Sequence, residues 1–267
     1  MLAFEAKARY AMLWAVCLQT KVASTMIDED LHAEHTPSAI RERLSRKPSA
    51  SYLRDWVYGG IDGAVTTFAI VAGVVGANLE ARIILILGLA NLLADGFSMA
   101  AANYSATKTE IDDYTRLREI EHDHIARVPD GEREEVRQIL EQKGLCGEAL
   151  ESATDAITSD RELWVETMLK EEYGLSNIPR SPVNAATSTF AAFVLCGAVP
   201  LIPFALGLPG AFTVSIVATG LVFAFIGALK SRWSLAPAWW SALETVLIGA
   251  AAAAVAYFVG DLLKSIG

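Results

Sequence analysis

The sequence predicts an all-α integral membrane protein with five transmembrane helices and a polar, cytosolic three-helix domain inserted between the second and third spans. Hydrophobic residues make up 53% of the 267 residues, and the mean hydropathy is +0.35, above that of a typical soluble domain. Five stretches each supply the roughly 20 apolar residues that a helix needs to cross a bilayer. None of them alternates with the period of a strand. The predicted spans are 56–77, 83–104, 185–207, 211–229 and 240–263.

The charge is concentrated in one polar segment between the second and third spans. Residues 105–184 contain 19 acidic and 10 basic residues, so they carry the whole formal net charge of −9. An acidic surface repels nucleic acid and attracts cations. The sequence therefore excludes nucleic acid as a partner and favours a cationic one.

This polar segment is helical by pattern. The second span continues without Gly or Pro through ATKTEIDDYTRLREIEHDHIARV, which predicts one long helix that ends at the Pro-Asp-Gly sequence of 129–131. GEREEVRQILEQKG predicts a second helix, stopped by Gly144. TSDRELWVETMLKEEYGL predicts a third, with Ser159 or Asp160 near its N-cap. The domains are then 51–104 (spans one and two), 105–182 (the polar domain) and 183–267 (spans three to five).

Residues 1–50 are predicted to form a polar N-terminal arm. Its apolar run, AMLWAVCL, is too short to span a membrane. The run is either the core of a signal peptide or lies upstream of a true translation start at Met26, and we favour the second interpretation. Glu29, His32, Glu34 and His35 are either possible metal ligands or part of an exposed arm.

Basic residues near the spans predict the topology. Five Lys and Arg residues lie between 41 and 54, whereas the turn at 78–82 holds only Arg82. Lys230 and Arg232 lie between the fourth and fifth spans. This distribution places the N-terminus and the polar domain in the cytosol, and the short loops suggest a bacterial inner (plasma) membrane.

Two carboxylates lie inside the predicted spans. Asp62 is in the first span and Asp95 in the second, with Met99 one helical turn further on the same face. A charge inside the bilayer is costly and indicates an ion pathway. Oxygen and sulfur ligands together suit a borderline metal such as Fe²⁺. The alternatives are that Asp62 caps a broken helix and that Met99 only packs.

Three pairs of possible ligands lie on the helices of the polar segment. Each pair is three or four residues apart, which places both side chains on one helix face. Glu121 and His124 form an E-x-x-H pair like those of di-iron helical bundles. The alternative is an ordinary solvated acidic face. The pairs are Glu121 with His124, Glu132 with Glu135, and Met168 with Glu172.

Five glycines of the first span, between 59 and 76, predict close helix packing or a dimer seam.

The chain resembles the vacuolar iron transporter family over residues from about 52 to the C-terminus. The resemblance lies in DWVYGGIDGAVTTFAIVAGVVGANL, LANLLADGFSMAAANY and TSDRELWVETMLKEE, with DG-x-x-TTFA and ADGFSMA as its specific blocks. It implies a dimer with five spans and a cytosolic metal-binding domain. It also implies that Asp62 and Met99 line the pathway, with Asp55 near the cytosolic mouth. The implied cytosolic ligands are Glu121, Glu132, Glu135, Met168 and Glu172.

The sequence departs from the family pattern at three positions. His124 replaces a glutamate, Leu169 replaces a second methionine, and Asn91 replaces a membrane glutamate of some members. Imidazole also binds Fe²⁺ or Zn²⁺, so we expect the site to persist with altered selectivity and greater sensitivity below about pH 6.5.

The expected function is that of a transporter, not an enzyme, moving Fe²⁺ or Mn²⁺ out of the cytosol in exchange for protons. No permanently bound cofactor is expected, and Fe²⁺, Mn²⁺, Zn²⁺ or Co²⁺ would be substrate and ligand of the polar domain. The expected partners are a second copy of the chain, the bilayer, metal ions and protons. The alternative is a membrane-anchored iron sensor or ferroxidase, which gives no reason for carboxylates within the spans.

Overall fold

The computed structural model describes residues 32–46, 49–176 and 180–264, and the chain divides into two units, 1–49 and 50–267. The first unit contains helix α1 (Pro37–Ser45). Thr36 caps this helix by accepting a hydrogen bond from the Ala39 amide. His32, Glu34 and His35 are exposed. The predictions about Met26, the apolar run and Glu29 lie outside the described residues.

The described part of the second unit is helical throughout, with short connections. Two 3₁₀ turns, Val199–Leu201 and Ser231–Trp233, extend the helices that precede them. The α-helices are α2 (Leu53–Gly76), α3 (Ala81–Arg127), α4 (Pro129–Gln142), α5 (Gly147–Thr158), α6 (Arg161–Glu171), α7 (Pro182–Ala198), α8 (Ile202–Ala205), α9 (Ala211–Lys230) and α10 (Ala238–Leu263).

Five of these elements are long and apolar enough to cross a membrane, which confirms the five predicted spans. They are α2, α3, the combined α7–α8 segment, α9 with its 3₁₀ turn, and α10. Helix α3 has 47 residues and is about 70 Å long at 1.5 Å per residue. A bilayer core is about 30 Å thick, so more than half of α3 extends beyond it. The prediction of one continuous helix through residue 127 is confirmed.

Helix α2 is central to the membrane part and packs against α3, α7, α9 and α10. Its glycines allow the closest of these contacts. A Cβ atom on Gly59 or Gly63 would collide with the backbone of Thr189 or Phe193 in α7, and one on Gly76 with the Tyr257 backbone in α10. These glycine faces are therefore covered by helices of the same chain, which supports the packing interpretation over a dimer seam.

The outer half of α3 forms a separate apolar core with α4, α5 and α6. Its most buried members come from α3, α4 and α6: Ile125, Val136, Trp164, Val165, Met168 and Leu169. Asp160 caps α6 by accepting hydrogen bonds from the amides of Glu162 and Leu163, as the sequence predicted. This core holds the polar helices in a fixed arrangement.

The prediction of three helices in the polar segment was incomplete. Residues Gly147–Thr158, left unassigned between the second and third predicted helices, form α5. The segment therefore contains the extension of α3 and three further helices. Leu150 and Thr154, four residues apart, are both buried. Ile157, three residues further, packs on the apolar core, so the helical spacing was present in the sequence and was not used.

Candidate metal sites

Glu121, His124 and Glu132 form a compact cluster where α3 gives way to α4. Glu121 and His124 are one turn apart near the end of α3, and Glu132 is in the first turn of α4. The chain reverses between them at Val128, and Pro129 occupies the start of α4, where the missing N–H costs nothing. This short connection brings both helix ends to the same place.

The distances in this cluster suit a metal ion. His124 Nδ1 is 3.4 Å from Glu132 Oε1 and 3.9 Å from Glu121 Oε1. One possible ligand atom from each residue lies within 4.8 Å of the others. Ligands that surround one ion at about 2.1 Å are about 3.0–3.4 Å apart, so a small contraction would close the site.

Both carboxylates of the cluster are buried and incompletely satisfied. Glu121 is fully buried, and Glu132 is 6% exposed. The Tyr173 hydroxyl donates a hydrogen bond of 3.0 Å to Glu121 Oε1, but Glu121 Oε2 and Glu132 Oε2 have no hydrogen-bond partner. Buried acceptors without partners are costly, and a bound cation would satisfy both.

The electrostatics of the cluster also favour a cation. Burial raises the pKa of Glu132 to about 7, and repulsion from Glu121, Glu135 and Glu172 adds to the effect, against a lowering by His124. Burial, followed by the hydrogen bond to Glu121, raises the pKa of Tyr173. Tyr173 therefore remains a hydrogen-bond donor to the cluster at physiological pH.

The other predicted ligands of the polar segment lie around this cluster. Glu135 and Glu172 are exposed, and both are close enough to repel Glu132. Met168 is fully buried in the apolar core beneath. Sequence reasoning missed Tyr173. Its only signal in the sequence was its position next to Glu172. This signal is weak because tyrosines are common near helix ends.

A second polar group lies between α2 and α3 within the membrane part. Asn91 Nδ2 of α3 donates a 3.2 Å hydrogen bond to Thr66 Oγ1 of α2. The two helices are joined by a short turn at 77–80 and run antiparallel. One turn away in the same register, Asp62 faces Asp95, and the two carboxylates repel each other.

Asp62 and Asp95 are each partly buried. Helix α2 is continuous through Asp62, so the alternative that this residue caps a broken helix is wrong. Met99, one turn beyond Asp95, is partly buried and packs against the apolar core that includes Phe68 and Phe193. The packing interpretation of Met99 thus has structural support.

Asp55 is placed differently from the other predicted pathway residues. It is 7% exposed, and Arg180 Nη2 lies 2.9 Å from its Oδ1 and 2.8 Å from its Oδ2. Asn103 Nδ2 donates a further hydrogen bond of 2.9 Å to Oδ1. Sequence reasoning did not identify Arg180, because a single arginine between two helices carries no signal of its own.

The fold and these sites define a polytopic α-helical membrane protein with carboxylate-rich candidate cation sites inside and outside its apolar helices. A family model described as the VIT family matches residues 53–261. The chain therefore belongs to this family, and the resemblance to vacuolar iron transporters is confirmed.

Curated relatives cover most of the chain. Vacuolar iron transporter 2 of Oryza sativa subsp. japonica is 35% identical over 246 residues, 90% of this chain and 100% of the relative. Vacuolar iron transporter 1 of Tulipa gesneriana is 34% identical over 80% of this chain and 88% of its own. Vacuolar iron transporter 1 of Eucalyptus grandis is 34% identical over 80% of this chain and 87% of its own. These relatives come from plants and bear vacuolar names, so they give no support to the predicted bacterial inner membrane.

Proposed function

We propose that the protein moves Fe²⁺ out of the cytosol across its membrane in exchange for protons. The observation that carries this proposal is the pair of carboxylates between α2 and α3. Asp62 and Asp95 lie in two long apolar helices, and within residues 32–46, 49–176 and 180–264 neither forms an ion pair with a basic side chain. Acidic groups retained without a basic partner at such a position indicate an ion path.

The exchange rests on competition for the same oxygens. A carboxylate binds either a metal ion or a proton. In a low-dielectric setting, one of these must be present to offset the negative charge of the carboxylate. A proton that arrives from the far side therefore displaces the metal from Asp62 and Asp95. The reverse replacement on the cytosolic side reloads the site.

The cluster of Glu121, His124 and Glu132 collects the ion before it enters the membrane. One imidazole nitrogen and several carboxylate oxygens suit Fe²⁺, Zn²⁺ or Mn²⁺ better than Ca²⁺, which takes oxygen ligands. Exposed Glu135 and Glu172 add negative charge at the entrance. The names of the relatives favour iron among these ions, and Mn²⁺ is the second substrate we expect.

The polar helices face the cytosol and two copies of the chain form the functional unit in this proposal. The excess of basic residues around Arg54, Lys230 and Arg232 supports the orientation. Leu93 and Phe97 on α3 are exposed, which leaves an apolar face for lipid or for a second copy. Cross-linking in native membranes and protease accessibility of the polar helices test these two points.

The rival function, an iron sensor or ferroxidase anchored in the membrane, accounts only for the cluster on α3 and α4. It gives no role to Asp62 and Asp95. Because burying unpaired acids costs free energy, an inert anchor would not retain them.

Transport in proteoliposomes tests the proposal directly. The purified protein is reconstituted, its orientation is determined by protease protection, and uptake of Fe²⁺ is followed under anaerobic conditions with a pH-sensitive dye inside. We expect a more acidic interior to accelerate Fe²⁺ uptake and uptake to make the interior more alkaline. Parallel assays with Mn²⁺, Zn²⁺ and Co²⁺ give the substrate order. Binding of Fe²⁺ or formation of Fe³⁺ without accumulation inside would favour the sensor or ferroxidase.

A further inference from the structure

Arg180 occupies a position where a transported cation would be stabilised. Its Nη2 atom contacts both oxygens of Asp55, at 2.9 and 2.8 Å. Asn103 of α3 contacts Asp55 Oδ1 at 2.9 Å and Thr189 Oγ1 of α7 at 2.7 Å. Asp55 is buried, so its negative charge requires a positive one close by. In this structure the guanidinium of Arg180 supplies that charge.

Asp55 lies at one end of the polar stripe that contains Asp62 and Asp95. Asp55 and Asp62 are seven residues apart, two turns along nearly the same face of α2. On α3, Asn103, Met99, Asp95 and Asn91 follow at four-residue intervals. Asn103 contacts Asp55, and Asn91 contacts Thr66, so both contacts belong to one antiparallel register. The Asp55 site is therefore continuous with the proposed ion path.

The contact between Arg180 and Asp55 is not the strongest that an arginine can make. Arginine and carboxylate pair best through two parallel N–H donors on different nitrogens. Here one nitrogen, Nη2, makes both contacts, and Arg180 Nε is buried without a hydrogen-bond partner. A pair with one unsatisfied donor is easier to open than a fully satisfied one.

Arg180 lies directly before α7 and next to Tyr52 at the start of α2. It lies in the connection between α6 and α7. The guanidinium carbon is 6.0 Å from the centre of the Tyr52 ring, and the next amide, of Ser181, donates a 2.8 Å hydrogen bond to the Tyr52 hydroxyl.

We infer that Arg180 is a tethered cation that occupies Asp55 and closes the α2–α3 path at this end, until a divalent metal ion displaces it. This inference rests on the proposed transport function. It makes Arg180 a positioning residue, which acts on transport through Asp55. When the arginine is withdrawn, the Asp55 carboxylate becomes available to the incoming metal. When it returns, the path closes behind the ion.

The test compares the KM of Fe²⁺ uptake for Arg180→Gln and for Arg232→Gln in oriented proteoliposomes. Arg232 is an exposed arginine between α9 and α10, and its substitution controls for the loss of one positive charge. If the arginine leaves Asp55 in about one molecule in ten, its removal lowers KM about tenfold. We expect that decrease for Arg180→Gln and an unchanged KM for Arg232→Gln. An unchanged or raised KM in a folded, transporting Arg180→Gln protein would overturn the inference.

Arg180→Lys carries the test if the glutamine variant does not fold, because it retains a positive charge near Asp55. Its ammonium is more strongly hydrated than a guanidinium and releases the carboxylate more readily. We expect a KM below that of the wild type, and a KM equal to it in this variant would contradict the inference.

A double-mutant cycle shows whether Arg180 acts through Asp55. In Asp55→Asn the carboxylate is absent, so adding Arg180→Gln should not lower KM further. The same decrease in both backgrounds would mean that Arg180 only repels approaching cations, and the tethered-cation role would be rejected. Absence of Fe²⁺ uptake by the wild type would instead reject the proposed function itself, so the two failures are distinguishable.

Discussion

At the scale of single residues, the most informative group is Glu132. It is nearly fully buried, one of its oxygens has no hydrogen-bond partner, and its pKa is raised to about 7 by burial and by neighbouring carboxylates. A protein that only needed to fold would gain stability by replacing this acid with a neutral side chain. Its environment is suited to binding a cation.

Replacing Glu132 with glutamine should weaken Fe²⁺ binding by about tenfold or more, because it removes a charged ligand. Isothermal titration of the purified protein under anaerobic conditions measures this change. Glu134→Gln is the matched control on the same helix. Glu134 is held by hydrogen bonds from Arg137 and Gln138, which keep its pKa at about 2, and it is not a member of the cluster. Equal affinities for the wild type and Glu132→Gln would remove Glu132 from the ligand set.

The metal-free protein should become less stable as pH rises from about 4.5 to 7. The pKa of Glu132 is about 7 in the folded protein, above its ordinary value of 4.5, so the folded state binds this proton more tightly than the unfolded state. The proton's stabilising effect is full below pH 4.5 and is lost as pH rises through 7. Melting curves in detergent with a chelator, for the wild type and Glu132→Gln, measure this. The variant should lack this part of the pH dependence, and identical profiles would contradict the assignment.

At the scale of elements, the closeness of α2 and α7 determines the geometry of the membrane part. Gly63 lies against the backbone of Phe193, where a Cβ atom would collide. The same contact places Asp55 of α2 beside Thr189 of α7. The position of the carboxylates thus depends on glycines that carry no chemistry themselves.

Gly63→Ala should destabilise the protein by about 1–3 kcal/mol, because the backbones of α2 and α7 must separate. Gly220→Ala in α9 is the control. No atom lies within 4 Å of where its Cβ would be, and alanine favours a helix, so we expect no loss of stability. Thermal unfolding in detergent compares the two. A Gly63→Ala protein as stable as the control would show that α2 and α7 are not tightly apposed.

The sequence predicted elements well where the signal was long and repeated. The five spans follow from their apolar length, and the continuation of α3 beyond its span follows from the absence of Gly and Pro between residues 105 and 127. Helix α5 was missed although Leu150, Thr154 and Ile157 recur at helical spacing, so the sequence contained its signal. The proximity of Glu121, His124 and Glu132 was only partly predictable, because spacing fixes neighbours on one helix but not the reversal into α4. The Arg180–Asp55 contact joins residues 125 positions apart, which no local pattern indicates.

At the scale of the whole molecule, the arrangement suggests collection and transfer of one kind of ion. In the proposed function, carboxylates outside the membrane part gather the cation, and a stripe of polar side chains between α2 and α3 provides the route. The same physical rule applies at both places, since a buried acid must be accompanied by a metal ion, a proton or a basic side chain. Asp55 is accompanied by the basic side chain of Arg180. In the proposed function, a metal ion or a proton accompanies Glu132 and Asp62.

Proton coupling in Asp62→Asn proteoliposomes tests the central claim, namely that this carboxylate binds metal and proton alternately. The wild type should alkalinise an acidic interior as Fe²⁺ enters. Asp62→Asn should lose this Fe²⁺-driven proton movement while keeping its melting temperature and its Fe²⁺ binding outside the membrane part. Asp112→Asn, which removes an exposed acid of α3, should behave as the wild type. Unchanged Fe²⁺ uptake and proton movement in a folded Asp62→Asn protein would contradict the account.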